Sequence, residues 1–307
     1  MDRKIKIIGI PMDFGQLHRG VDMGPAALRY TGLASELRKL GYIVEDRGDV
    51  LVPVRDRGDD IKRTDNQTAD NENRVNYLDS ITKVCEQVYN AGREAVEQKA
   101  FPLFLGGDHS IAIGTIGGVS HENPIGIIWI DAHGDFNTYE TSPSGNVHGM
   151  PLAALIGDGS PSLVNIGRKG RKIDPENVVL IGIRDLDAAE RERLKKSGVT
   201  VYTMRDIDEQ GISTITNKAL MKFMHIKRIH VSLDMDAIDP VEAPGVGTPV
   251  AGGLTYREAH LCMEIIADSG KLASMDLVEI NPILDQANKT AKLAVNLAVS
   301  ALGKSIY

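Results

Sequence analysis

The chain has only two cysteines and one tryptophan in 307 residues. Cys85 and Cys262 stand in neither a CxxC nor a His-paired spacing, so a disulfide framework is not expected; both read as small buried hydrophobes in a reduced protein. There is no basic excess either. A net charge of −7 and a pI near 5.7 weigh against nucleic acid or an anionic membrane surface as the main partner. No stretch approaches the ~20 apolar residues of a membrane span. The apolar run near the start, within MDRKIKIIGIPMDFG, stops at Pro11 and is too short for the core of a signal segment. The cytoplasm is therefore the expected compartment.

A hydrophobic content of 42% is ample for a core, and length alone allows one large α/β domain or two smaller ones. Lys4 to Ile10 reads as a strand, followed by a Gly/Pro-rich loop and a helix expected from about Pro25 to Leu40, ending at Gly41. A short strand at Tyr42 to Val44, with a second pairing near Val50 to Val54, leads into Arg55 to Asn73, a charged run of the solvated-loop kind. A long helix is expected from about Asn73 to Gln98. Further strands are expected at Phe101 to Leu105, Ile127 onward, Val178 to Ile183, Val199 to Tyr202, Ile229 to Leu233 and Ser274 to Ile280, with helices between them and a last helix at about Lys289 to Ala301. The alternation predicts residues 1–307 as one domain, a three-layer αβα architecture around a mostly parallel sheet of about eight strands.

In open parallel sheets ligands bind beyond the carboxyl ends of the strands, and that is where the polar clusters fall. The apolar run IIWI opens directly into Asp131, His133 and Asp135, at a spacing of two that puts all three on one face if the strand persists. SLDMDAIDP repeats the device with Asp234 and Asp236, and GGDHS places His109 at another strand end. Two glycines at that turn permit close backbone approach, but no GxxxxGK[ST] follows, which argues against a phosphate loop. Converging carboxylates need compensating cations. Four aspartates and two histidines oversupply one catalytic ion and balance two divalent ones; the mixed oxygen and imidazole set favours Mn2+, ahead of Fe, Co, Ni or Zn. Such a pair lowers the pKa of a shared water and orients it, so residue chemistry alone predicts a binuclear metallohydrolase.

GGDHS, DAHGDFNT, SGNVHGMP and SLDMDAIDP, in that order, resemble the signatures of the ureohydrolase family, and SGNVHG with GIRDLD is similar to arginases in particular. The resemblance runs from IGIPMDFGQLHRGVDMGP to VEINP. It implies an arginase/deacetylase-like fold and hydrolysis of L-arginine to L-ornithine and urea at two Mn2+ ions per subunit. His109 and Asp135 would then bind one ion, His133 and Asp236 the other, and Asp131 and Asp234 both, with a bridging hydroxide attacking the guanidinium carbon. Asp135 would hold that hydroxide and help move a proton, His148 would shuttle protons or contact substrate, and Glu279 would pair with the guanidinium. The matching positions for the α-carboxylate are Asn137, Ser142 and Ser144; for the α-amine, Asp187 with Asp185; and Thr248 falls near the guanidinium. Family members commonly form trimers or hexamers, so the resemblance implies a homotrimer or homohexamer, and Arg257 and Glu258 match intersubunit contacts of some of them. The nearest alternative is agmatinase or another guanidino ureohydrolase, which would not need the SGNVHG loop with Asp187. An inactive metal-binding interaction protein and a single-metal deacetylase are the more remote ones.

Overall fold

In the computed structural model the described residues are 4–55 and 74–305. The first strand, β1 (Lys4–Ile10), buries isoleucines on both sides: Ile5 and Ile7 join one apolar cluster, Ile8 and Ile10 another. A strand apolar on both faces belongs inside a parallel sheet covered by helices on each side. The remaining strands are β2 (Ile43–Asp49), β3 (Phe101–Gly106), β4 (Gly126–Ile130), β5 (Val178–Ile183), β6 (Thr200–Thr203), β7 (Ile229–Asp234) and β8 (Leu272–Val278). They form one sheet in the order β2-β1-β3-β8-β7-β4-β5-β6, with every neighbouring pair parallel. The expected α/β architecture is therefore present, with eight strands.

In chain order the helices are α1 (Gly24–Tyr30), α2 (Leu33–Lys39), α3 (Leu78–Glu97), α4 (Ala112–Val119), α5 (Pro151–Leu155), α6 (Pro161–Val164), α7 (Ala188–Ser197), α8 (Met204–Gln210), α9 (Ile212–Lys222), α10 (Tyr256–Asp268) and α11 (Lys289–Ala301). Helices α3 to α7 cover the face of Ile8, Phe104 and Trp129. Helices α1, α2 and α8 to α11 cover the face of Ile5, Leu103 and Ile130. Because the chain passes from β3 to β4 across two places that β7 and β8 fill later, strands β3, β8, β7 and β4 lie side by side in the middle of the sheet. Their carboxyl ends open on a common basin, as the topology of such sheets dictates.

Three local expectations change. The helix expected from Pro25 to Leu40 is two, because Gly32 adopts the left-handed conformation at φ 85° and α2 restarts after it. The strand expected at residues 42–44 extends through Asp49, whereas residues 50–54 form no strand; only Val50 N–H reaches β1, at the carbonyl of Gly9. Helix α3 begins at Leu78, not near Asn73. Asn76 just before it is held away from helical geometry by bonds to Ser144 O, Asn146 Oδ1 and Gly145 O. The charged run after Arg55 lies outside the described residues. No helix among the described residues is long and apolar enough to cross a membrane, and both cysteines are free and buried.

Glycine sets the contact between α3 and α4. A Cβ at Gly118 would come within 2.3 Å of the carbonyl oxygen of Tyr89, and one at Gly114 within 2.6 Å of that of Cys85. These are backbone atoms of α3, so relief requires the helices to part. Gly118→Ala is expected to destabilise the protein by about 1–3 kcal/mol, the usual cost of overpacking, seen as a lowered Tm; an unchanged Tm would show that the helices separate freely.

Candidate metal centre

Each polar cluster is delivered by a strand end and then shaped by a turn. After β3 the chain passes Gly107, where a Cβ would sit 1.9 Å from the carbonyl oxygen of Met12. Gly107 thus admits the loop after β1, and Gly106 the packing of Ile111 and Val278 beside β3. Asp108 accepts from Gly15 N–H and Ser110 N–H and starts the 3-10 turn His109–Ile111, which aims His109 inward. Strand β4 stops at Ile130, so Asp131, His133 and Asp135 are not set by strand alternation. They converge through a bent loop: His133 N–H donates back to Asp131 Oδ1 at 2.7 Å, and Asp135 is left-handed at φ 49°. Asp234 is the last residue of β7, and Asp236 lies in the 3-10 turn Met235–Ala237 that Asp234 caps. Glu279 follows β8 directly at φ 63°, with its N–H on Gly107 O.

The donor atoms meet in two groups, His109 with Asp131 and Asp135, and His133 with Asp131 and Asp236. His109 Nδ1 stands 3.2 Å from Asp131 Oδ2, 3.1 Å from Asp135 Oδ2 and 3.1 Å from Asp234 Oδ2. His133 Nδ1 stands 3.5 Å from Asp131 Oδ1 and 3.1 Å from Asp236 Oδ2. Asp131 thus sends one carboxylate oxygen toward each group. All four aspartates are buried, with no more than 6% exposure.

The electrostatics show what such a set demands. Burial, together with the charge of Asp131, raises the carboxyl of Asp135 to about 6. Burial also raises Asp234 and Asp236, each pushed further by neighbouring aspartates. At Asp131 burial acts upward but is outweighed by bonds from His109 and His133, which hold the carboxyl below its ordinary value. Both imidazoles are driven toward the cationic form despite burial. The tautomer of His109 is informative. Ser232 donates its hydroxyl proton to Asp276 at 2.6 Å, so its oxygen accepts from His109 Nε2–H at 2.8 Å. Nδ1 is then left to face three carboxylate oxygens, and one proton there bonds at most one of them well. Cations between these atoms satisfy all of them at once, and the mixture of carboxylate and imidazole suits a divalent transition ion.

Around this basin a cavity is lined by His133, Asp135, Asn137, Ser142, Ser144, Asn146, His148, Asp185, Asp187, Glu190, Asp234, Asp236 and Thr248. Asn137 Nδ2 donates to Asp187 Oδ2 at 3.1 Å, and Thr248 Oγ1 to Asp236 Oδ2 at 2.9 Å. Ser142 Oγ accepts from Gly145 N–H and Ser144 Oγ from Asn146 N–H, so both hydroxyls also shape their own loop. Asp185 points a largely exposed carboxylate toward His133 Nε2 at 3.9 Å. His148 lies in the 3-10 turn Val147–Gly149, with Nδ1 3.2 Å from Glu279 Oε1; that contact outweighs burial and raises the imidazole to about 9. Glu279 is 1% exposed and, against the upward push of burial, is kept below the ordinary value by His148. Arg257 and Glu258 lie apart from the basin, at the start of α10, where Glu258 closes a capping box with Thr255 and Arg257 reaches Glu264.

Several contributors carry no motif signal of their own. Gln16 donates Nε2–H to Glu279 Oε2 at 2.6 Å. Glu190 accepts from Phe136 N–H at 2.8 Å and holds the bent loop from α7, while Trp129 Nε1–H donates to Asp131 Oδ2 at 2.9 Å. Trp129 and Ser232 each precede an aspartate by two residues, a spacing that could have marked them.

Comparison with known proteins agrees with this geometry. Residues 3–303 match the model of the Arginase family. The chain is 49% identical over 307 residues to the arginase of Bacillus subtilis, covering all of both chains. It superposes on the native structure of arginase from Bacillus caldovelox with a TM-score of 0.92 at 46% identity, spanning 99% of this chain and 100% of that one. A crystal structure of Entamoeba histolytica arginase in complex with L-ornithine matches at a TM-score of 0.88 and 29% identity, with 99% and 100% covered. Full-length identity of this order, on one sheet topology with two Asp/His groups at its carboxyl edge, makes this chain a member of the arginase family.

Proposed function

We propose that the chain, working as one domain, hydrolyses L-arginine to L-ornithine and urea. The observation that carries this reading is the continuity of one cavity from the two Asp/His groups to Asn137, Ser142, Ser144 and Asp187. The names of its relatives in Bacillus, and the L-ornithine in the Entamoeba enzyme, support it.

His109 and Asp135 would hold one Mn2+ ion, His133 and Asp236 the other, with Asp131 and Asp234 shared. Two such ions, when bound, supply an acidified water and the positive charge that buried carboxylates require. The chain's own groups do the rest. Glu279, already ionised, takes the guanidinium by charge-assisted hydrogen bonds and sets its carbon over the basin. Asp135 accepts a proton at its carboxylate and passes it toward the departing amine. His148, on the cavity wall, carries protons between site and solvent. At the far end Asn137, Ser142 and Ser144 receive the α-carboxylate and Asp187, with Asp185, the α-amine. Thr248 holds Asp236 beside the guanidinium. The two buried free cysteines suit the cytoplasm. A homotrimer or homohexamer with Arg257 at its interface is the proposed assembly; Glu258 would contribute there while capping α10.

Urea release should require Mn2+, stop on chelation, and be much faster from L-arginine than from agmatine, which lacks the α-carboxylate. Preference for agmatine would keep the metal reading and overturn the roles of Asn137, Ser144 and Asp187. Asp187→Ala is expected to lower kcat/KM for L-arginine ~10- to 100-fold, the loss typical of one hydrogen bond to a charged group, and to change agmatine turnover far less. Elemental analysis should find two Mn2+ per chain, and Asp236→Ala should bind fewer and lose most of the Tm rise that Mn2+ confers. An unchanged metal count in that variant would remove Asp236 from the ligands.

A further inference from the structure

Gln16 sits on the loop after β1 and is 2% exposed. Its bond to Glu279 Oε2 settles which way its amide points, because the reversed amide would set an oxygen against a carboxylate. With Nε2 thus committed, Oε1 is buried and has no hydrogen-bond partner among the described residues. The space for that oxygen comes from Gly247, where a Cβ would stand 2.6 Å from it. The next residue, Thr248, lines the cavity.

A buried acceptor without a donor is uncommon and unfavourable, and this one lies beside the carboxylate assigned above to the guanidinium. Glu279 alone has few acceptor positions left. Its Oε1 takes His109 N–H at 2.9 Å and faces His148, and its Oε2 takes Gln16. An alkylguanidinium brings five N–H donors in a rigid plane. We infer that Gln16 is a second guanidinium-reading residue: its Oε1 accepts an N–H of the substrate while its Nε2 holds the Glu279 carboxylate in the receiving orientation. The inference rests on the proposed role of Glu279. It also accounts for Gly247, the residue that leaves the amide oxygen its place.

The test compares wild type, Gln16→Met and Gly247→Ala, all loaded with Mn2+, on L-arginine and on inhibition by L-norvaline, an α-amino acid with a propyl side chain and no guanidinium. Gln16→Met keeps the shape and removes donor and acceptor; Gly247→Ala keeps the amide and displaces it. In both variants kcat/KM for L-arginine should fall ~10- to 100-fold while the L-norvaline inhibition constant moves less than about twofold and bound Mn2+ per chain stays at the wild-type level, as expected for a hydrogen bond made only to the guanidinium end. Unchanged turnover, or equal weakening of both ligands, overturns the inference and leaves the amide as packing. Should Gln16→Met fail to fold, Gly247→Ala decides by the same criteria. Absence of L-arginine turnover in the wild type would instead overturn the reading of the site.

Discussion

Burial of Asp131, Asp135, Asp234 and Asp236 around a few ångströms of space is the constraint on which the rest of the structure depends. Ionised carboxylates taken out of water are strongly destabilising unless matched by positive charge, and two imidazoles do not match four of them. The protein therefore carries, as a fold, a demand for cations. The parallel sheet explains how that demand arises: β3, β8, β7 and β4 are neighbours, so whatever follows their last residues is forced into one basin. Helices on both faces keep water from reaching the carboxylates from below.

The basin is stiffened from inside the sheet. His109 stacks on Trp129 with ring centres 4.1 Å apart, and its Nε2 begins a buried chain through Ser232 and Asp276 to His230, which also bonds Ser274. Thr115 of α4 supplies a further donor to Asp276 at 2.7 Å. Burial would raise Asp276, but His230 and Ser232 hold its carboxyl below the ordinary value. A histidine so restrained has one tautomer and one orientation, which is what a metal ligand needs. These polar groups occupy strand positions that an ordinary sheet would fill with apolar side chains.

Much of the fold was legible because β4 and β5 are apolar on both faces and end abruptly in charged clusters. The limits of α11 were an equally local signal. What escaped a sequence reading had non-local causes. Gly32 divides α1 from α2 by a left-handed turn that the apolar spacing does not reveal. The start of α3 is set by Asn76, whose partners Ser144 and Asn146 lie some 70 positions later in the chain. Asp131, His133 and Asp135 converge by a bend at Asp135 and a hold from Glu190, where strand alternation had been the expected cause.

The sequence by itself determined the chemistry of the basin: which residue types stand at strand ends, their excess of negative charge, and hence the need for compensating cations. The alternation of strands with helices also determined that the sheet would be parallel. Only the tertiary structure decided which oxygen of Asp131 faces which group, which His109 nitrogen faces the aspartates, and that Gln16 and Glu279, 263 positions apart, share a hydrogen bond. The physical reason is that residue identity and local spacing act over a few positions, whereas charge compensation and amide orientation are settled by the partners that sheet order brings within about 3 Å.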